Sequence, residues 1–170
     1  TTSGATSYLW TTGATTASIT PSTASAGTTT YTVTVTATGG CSATTSATIV
    51  VNPLPVPPAL TSTSYCVGAS ATALDATTTG ATAYLWSSGE TTASVTPSTA
   101  IAGTTTYTVT VTATGGCTAT TSATIVVNPQ PVPPALTSTN YCVGASAAVL
   151  DATTSGATSY LWTTGATTAS

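Results

Sequence analysis

A period of 76 residues runs through this 170-residue chain. Tyr8-Leu9-Trp10, Tyr84-Leu85-Trp86 and Tyr160-Leu161-Trp162 stand in step, as do Cys41 with Cys117 and Cys66 with Cys142. Displacing the chain by 76 positions matches 77 of 94 residues. A displacement of 152 carries residues 1–18 unchanged onto residues 153–170. The array reads as two alternating repeat types, with this chain a window cut from it. A fixed period means one supersecondary unit copied for length or valency rather than for new chemistry. Export signals, anchors and any functional head are expected outside the window. No apolar run approaches the ~20 residues of a membrane-spanning helix.

The chain contains no Lys, Arg, His, Phe or Met, and its only charged side chains are Asp75, Glu90 and Asp151. Disordered chains are usually charged and poor in β-branched residues. Here Thr, Val and Ile dominate, with 50 Thr alone, and these residues favour strands. The expectation is a folded all-β protein with a hydroxyl-covered surface. Without Lys or Arg nothing can neutralise phosphates, so nucleic-acid binding is excluded as a function class. Electrostatic attachment to anionic lipid falls with it, and this segment is not expected to insert into a membrane.

Proline-rich joints separate the repeats: Asn52-Pro53-Leu54-Pro55-Val56-Pro57-Pro58 and Asn128-Pro129-Gln130-Pro131-Val132-Pro133-Pro134. Spaced prolines favour polyproline II, a semi-rigid spacer, and end the preceding strand by withholding donors. The domains are accordingly a partial repeat at 1–58, a complete repeat at 59–134 and a partial repeat at 135–170. Within the complete repeat, strands are expected at 59–67, 71–77, 81–87, 91–96, 104–114 and 117–127. Tyr84 and Trp86 share one face, with Leu85 on the other. Tyr107, Val109 and Val111 alternate with Thr108, Thr110 and Thr112. Gly115-Gly116 closes a hairpin. Six or seven short strands separated by turn signals in about 76 residues suggest a small β-sandwich. With no Phe or Met, the core falls to Leu74, Tyr84, Trp86, Tyr107, Val109, Val111, Ile125 and Val127. The period adds Trp10, Trp162 and Tyr31 at the equivalent places.

Tyr84-Leu85-Trp86-Ser87-Ser88-Gly89, Thr105-Thr106-Tyr107-Thr108-Val109-Thr110-Val111, Gly116-Cys117 and Val126-Val127-Asn128-Pro129 carry a family likeness. Tyr65-Cys66-Val67-Gly68-Ala69-Ser70 fits the start of the same kind of domain. Over its whole length the chain resembles the PKD-like and Ig-like repeats of giant secreted surface proteins of Bacteroidota, including gliding-motility-type adhesins. The chain departs from that class at Thr114-Gly115-Gly116, where an Asn or Asp is common, and in lacking every basic residue. The resemblance implies a tandem array of immunoglobulin-like sandwiches, extracellular display at the cell surface, a stalk or adhesive role, and no catalytic residues.

The residues themselves also argue against catalysis. Asp75 and Asp151 are one position in successive repeats, not a carboxylate pair. A Ser or Cys nucleophile would have no His or Lys as base. No cofactor is expected. Two Cys per repeat without His give no metal-ligand spacing. Cys41, Cys66, Cys117 and Cys142 are instead disulfide candidates in an oxidising exterior, the alternative being buried free thiols. Cys66–Cys117 within a repeat is the simplest bridge. An immunoglobulin-like topology nevertheless sets these two at opposite ends of a strand, beyond the ~7 Å Cα limit of a disulfide. Bridges across a joint or between chains are therefore weighed above the Cys66–Cys117 bond.

The Thr108, Thr110, Thr112 ladder has the spacing of an ice-binding face, yet three rungs on a twisted sheet are better read as ordinary β-favouring surface. A sugar platform would need exposed rings; Tyr65 and Tyr141 are the candidates. Two function classes remain. One is a structural array whose partners are neighbouring repeats and other copies, as in a filament, sheath or adhesin stalk. The other is an adhesin whose repeats themselves bind glycans or surfaces.

Overall fold

The structure is a computed structural model that describes residues 4–170. Strict Thr/Val alternation produces extended chain, and nine strands form among the described residues. The first three are β1 (Ala5–Trp10), β2 (Gly27–Ala37) and β3 (Ser42–Val51). They make a three-stranded antiparallel sheet in the order β1-β2-β3, with Trp10 opposite Val33 and Thr28 opposite Val50.

The 76-residue unit that follows holds six strands: β4 (Thr63–Cys66), β5 (Leu74–Asp75), β6 (Ala81–Trp86), β7 (Ser94–Val95), β8 (Gly103–Ala113) and β9 (Thr118–Asn128). Four of them form one sheet in the order β4-β9-β8-β6, and β5 pairs with β7 in a second. β4 runs parallel to β9, while β6–β8 and β5–β7 are antiparallel. Two sheets built from sequence-distant strands, β5 with β7 and β6 with β8, are the arrangement of an immunoglobulin-like sandwich. The protein is all-β; among the described residues the single helical turn is a 3-10 turn at Thr114–Gly116. Gly115 and Gly116 both have φ +77° there, a conformation that residues with a Cβ avoid.

The chain packs as two compact units that cut across the sequence period. One comprises residues up to Thr61 with Leu74–Val95 and Tyr107–Ala123; the other comprises Ser62–Ala73, Thr96–Thr106 and Thr124–Ser170. In the first, Leu74, Ala76, Trp86, Val95, Tyr107, Val109, Val111 and Ala113 are buried. In the second, Ile125 and Val127 are buried. The alternation expected on β8 is exact at Tyr107, Val109 and Val111, with half-buried Thr between them.

Three of the expected strands are shorter than the sequence suggests, each for a local reason. The strand expected over 59–67 begins at Thr63, because Pro57 and Pro58 offer no donor to a ladder. Just before it, the Thr124 amide donates to the Ser62 hydroxyl (2.9 Å). The strand expected over 71–77 shrinks to Leu74–Asp75. The Thr72 amide donates to the Tyr65 hydroxyl (3.0 Å) and the Thr77 amide to the Asp75 carboxylate (2.9 Å), so side chains replace the ladder on both flanks. In the strand expected over 91–96, the Trp86 indole donates to the Thr92 carbonyl (2.8 Å), and only Ser94–Val95 pair. Tyr84, expected in the core, is half-buried. Its hydroxyl accepts from the Thr78 amide (3.1 Å), which holds the ring tip at the turn.

Candidate interaction site at the joint

Asn52 ends the first sheet and opens the first proline-rich joint. Its side chain lies directly on Gly115: a Cβ built there would meet the Asn52 amide nitrogen and stand 2.7 Å from its Cγ. At Gly39, the equivalent glycine of the preceding β2–β3 turn, nothing lies within 4 Å of such a Cβ. The Cys117 thiol points at the Asn52 carbonyl, with Sγ 3.8 Å from the oxygen. Pro55 is buried, whereas Pro131, its counterpart in the second joint, is exposed. Pro53, Leu54 and Pro55 face Thr79, Gly80, Ala113 and Thr114 across a cavity of about 170 Å³. The first joint is thus packed on the turns of the repeat that follows it.

The second joint is anchored at its start. Cys66 stands opposite Asn128 in the β4–β9 register. The Val67 amide donates to the Asn128 carbonyl (2.9 Å), and the Gln130 amide donates to the Val67 carbonyl (3.4 Å). Cys66 therefore belongs to the Asn128 end of β9, while Cys117 immediately precedes Thr118 at its other end. Ten strand steps span roughly 33 Å, far beyond bridging distance. All four cysteines are free thiols; Cys41, Cys66 and Cys142 are exposed and Cys117 is half-buried.

The core residues inferred by period separate into two groups. Trp86 and Tyr107 are buried. Trp10, Tyr31 and Trp162 are only half-buried. Their local hydrogen bonds persist nonetheless. The indoles of Trp10 and Trp162 donate to the carbonyls of Thr16 and Thr168 (2.8 and 2.7 Å), as Trp86 does to Thr92.

The aromatic rings named as sugar-platform candidates are tied into the fold by their hydroxyls. Tyr65 accepts from Thr72, and Tyr141 accepts from the Ala148 amide (2.8 Å). These bonds favour the phenolate: the Thr72 amide holds Tyr65 below the usual tyrosine range, and the Thr139 hydroxyl followed by the Ala148 amide does so for Tyr141. The carboxylates are bound in the same way. The Thr77 hydroxyl and amide lower the Asp75 carboxyl, the Thr153 hydroxyl and amide lower Asp151, and the Ser88 hydroxyl lowers Glu90. Each acid thus serves its own turn. Among the described residues no three of His, Cys, Asp and Glu gather at one place, and no helix is long and apolar enough to cross a membrane.

Sequence reasoning found the joint but not the contact that packs it. The available signal was the recurrence of Asn52 and Asn128 before each joint together with the double glycine of the hairpin; neither residue type says by itself that the two meet.

No family model matches the chain, and no curated protein matches it. Solved structures with some likeness include Sidekick-1 immunoglobulin domains 1-4, at 18% identity and TM-score 0.37, covering 76% of this chain and 45% of that one. The extracellular domains 3-5 of Drosophila OTK are similar at 15% identity and TM-score 0.31, covering 65% of this chain and 41% of theirs. A Bacteroides ovatus glucan-utilization protein, SGBP-B, solved with a mixed-linkage heptasaccharide, is similar at 14% identity and TM-score 0.24, covering 76% of this chain and 39% of its own. This chain spans less than half the length of each of these three. At such scores the likeness carries no argument, and the assignment to an immunoglobulin-like β-sandwich rests on the strand order itself.

Proposed function

We propose that the chain is a structural repeat segment of an extracellular filament, sheath or adhesin stalk at the cell surface, without catalytic activity. The observation that carries this reading is the packed joint. Asn52 seats on Gly115 and Pro55 is buried, so successive repeats are coupled by side-chain contact as well as by peptide bonds. A spacer that must keep its length needs such coupling; a string of independent binding modules does not. The Bacteroidota surface-protein resemblance points the same way, with its PKD-like repeats of adhesins. Binding of glycans by the repeats themselves is the weaker reading, since the Tyr65 and Tyr141 hydroxyls are already engaged within the fold. The discriminating experiment passes a two-repeat protein over a glycan array and cellulose. No retention, with fibres seen by electron microscopy of the native assembly, is the expected result; specific retention would transfer the function to the repeats themselves.

A further inference from the structure

We propose that a disulfide ties successive repeats together across each proline-rich joint, between the first cysteine of one repeat and the second cysteine of the next. Cys66 and Cys142 are first cysteines of the 76-residue unit, and Cys41 and Cys117 are second cysteines. Asn52 and Asn128 are one position of that unit, each opening a joint. The two sides of this asparagine are seen separately. From the preceding repeat, Cys66 stands opposite Asn128 in the parallel β4–β9 register. The neighbouring Val67 amide donates to the Asn128 carbonyl (2.9 Å). From the following repeat, the Cys117 thiol donates to the Asn52 carbonyl, with Sγ 3.8 Å from the oxygen.

Laid on one another by the period, the two sides bring a first and a second cysteine to the same asparagine. Pairing inside a repeat is out of reach, because Cys66 and Cys117 belong to opposite ends of β9 and a disulfide spans no more than about 7 Å between Cα atoms. The backbone that presents each thiol is held in place. The Gln130 amide donates to the Val67 carbonyl (3.4 Å) beside Cys66, and the Asn52 side chain lies on Gly115, two residues before Cys117. Cys66 is exposed and Cys117 half-buried, so a small oxidant reaches both. A bond between such thiols closes the joint covalently beside its prolines.

The oxidant is a small-molecule disulfide such as oxidised glutathione. The first cysteine's thiolate attacks one of its sulfurs and displaces one glutathione thiolate. The second cysteine's thiolate then attacks the protein sulfur of the mixed disulfide and displaces the other. The two thiol protons pass to the departing thiolates, so one protein disulfide and two reduced glutathiones result. The inference rests on the reading of the chain as successive repeats of one array, and its test is separate from what that array does.

The test isolates the native protein without reductant, blocks free thiols with iodoacetamide and maps the chain with chymotrypsin under non-reducing conditions. The alternating repeats label their own cysteines. Cleavage after Tyr65 and Tyr141 leaves fragments in which Thr72-Ala73 marks Cys66 and Ala148-Val149 marks Cys142. Ser42 marks Cys41, and Thr118 marks Cys117. A bridge across the joint connects unlike repeats, so the Thr72-Ala73 fragment should be joined to the Ser42 fragment and the Ala148-Val149 fragment to the Thr118 fragment. Thr72-Ala73 joined to Thr118 is a bond within a repeat and overturns the proposal, as does a mixture of all pairings. Fibres in which every cysteine is blocked as a free thiol overturn it while leaving the array reading intact. In denaturant without reductant the mass should remain that of a single chain; a multiple of it places the bonds between chains and overturns the proposal too. Cys66→Ser, made in every repeat of its type, should free the Ser42-marked thiol and leave the Thr118-marked one bridged. Release of the Thr118-marked thiol instead would sink the cross-joint pairing.

Discussion

Gly115 has positive φ, and Ala there pays the left-handed cost of about 1–2 kcal/mol. A Cβ at this position would also meet Asn52. Gly115→Ala should therefore cost on the order of 1 kcal/mol beyond that penalty, measured by chemical denaturation, and the excess should vanish in an Asn52→Ala background; a cost unchanged there would show that the joint contact contributes nothing. The three acids set the pH response. Because hydrogen bonds from Thr77, Thr153 and Ser88 lower their carboxyls in the folded chain, their contribution is fully present above the ordinary carboxylate range. It is lost as pH falls below about 4 and through the folded values. With no His or basic side chain, melting temperature should be flat from about pH 5 to 8 and fall only in acid. Asp75→Asn should reduce that acid-side loss. A transition between pH 5 and 7 would contradict this account.

At the scale of elements, the long strands were readable from sequence and the short ones were not. β6, β8 and β9 follow from alternation that side-chain burial then enforces. Trp86 and Leu85 fall on opposite faces of β6, 2% and 56% exposed. β4, β5 and β7 are shorter than periodicity suggests. Pro57 and Pro58 delay β4. The Thr72 and Thr77 amides, donating to the Tyr65 hydroxyl and the Asp75 carboxylate, bound β5, and the Trp86 indole donating to the Thr92 carbonyl shortens β7, since periodicity does not register a side chain replacing a ladder partner. The joint was legible as a proline spacer; the seating of Asn52 on Gly115 was not, since it joins residues 63 positions apart. The burial of Trp86 predicts a loss of on the order of 3–5 kcal/mol for Trp86→Ala. A loss within the ~0.5 kcal/mol of an ordinary surface substitution, in denaturant melts, would refute that burial. Replacing Pro53, Pro55, Pro57 and Pro58 by Gly and Ser should loosen the first joint. Small-angle scattering of tandem repeats should then broaden from a narrow to a coil-like distribution of interdomain distances. A broad distribution before the replacement would show that the prolines do not stiffen the joint.

At the scale of the whole molecule the governing fact is the near absence of charge. Sheet edges in ordinary β proteins carry Lys, Pro or inward charges that block pairing with other chains. This chain has no Lys or Arg and only three acids over 170 residues, so repulsion between copies is weak. Its Thr-rich faces offer hydroxyls that bond across strands, as Thr30 does to Thr48 (3.1 Å) and Thr106 to Thr124 (3.3 Å). An identical face on another copy presents the same groups at the same spacing. Because the surface recurs every 76 residues, weak lateral contacts in register add through multivalency. The expected native form is a filament, bundle or sheath in which sandwiches touch side by side as well as end to end. Since charge contributes little to such contacts, raising the salt concentration should not dissolve it. The absence of Lys and Arg also leaves trypsin no site to cut. Electron microscopy and sedimentation of a protein of several complete repeats test the lateral contacts. Salt-resistant bundles are the expected result. A strict monomer at high concentration and neutral pH would eliminate lateral assembly and leave a solitary adhesin stalk as the better account.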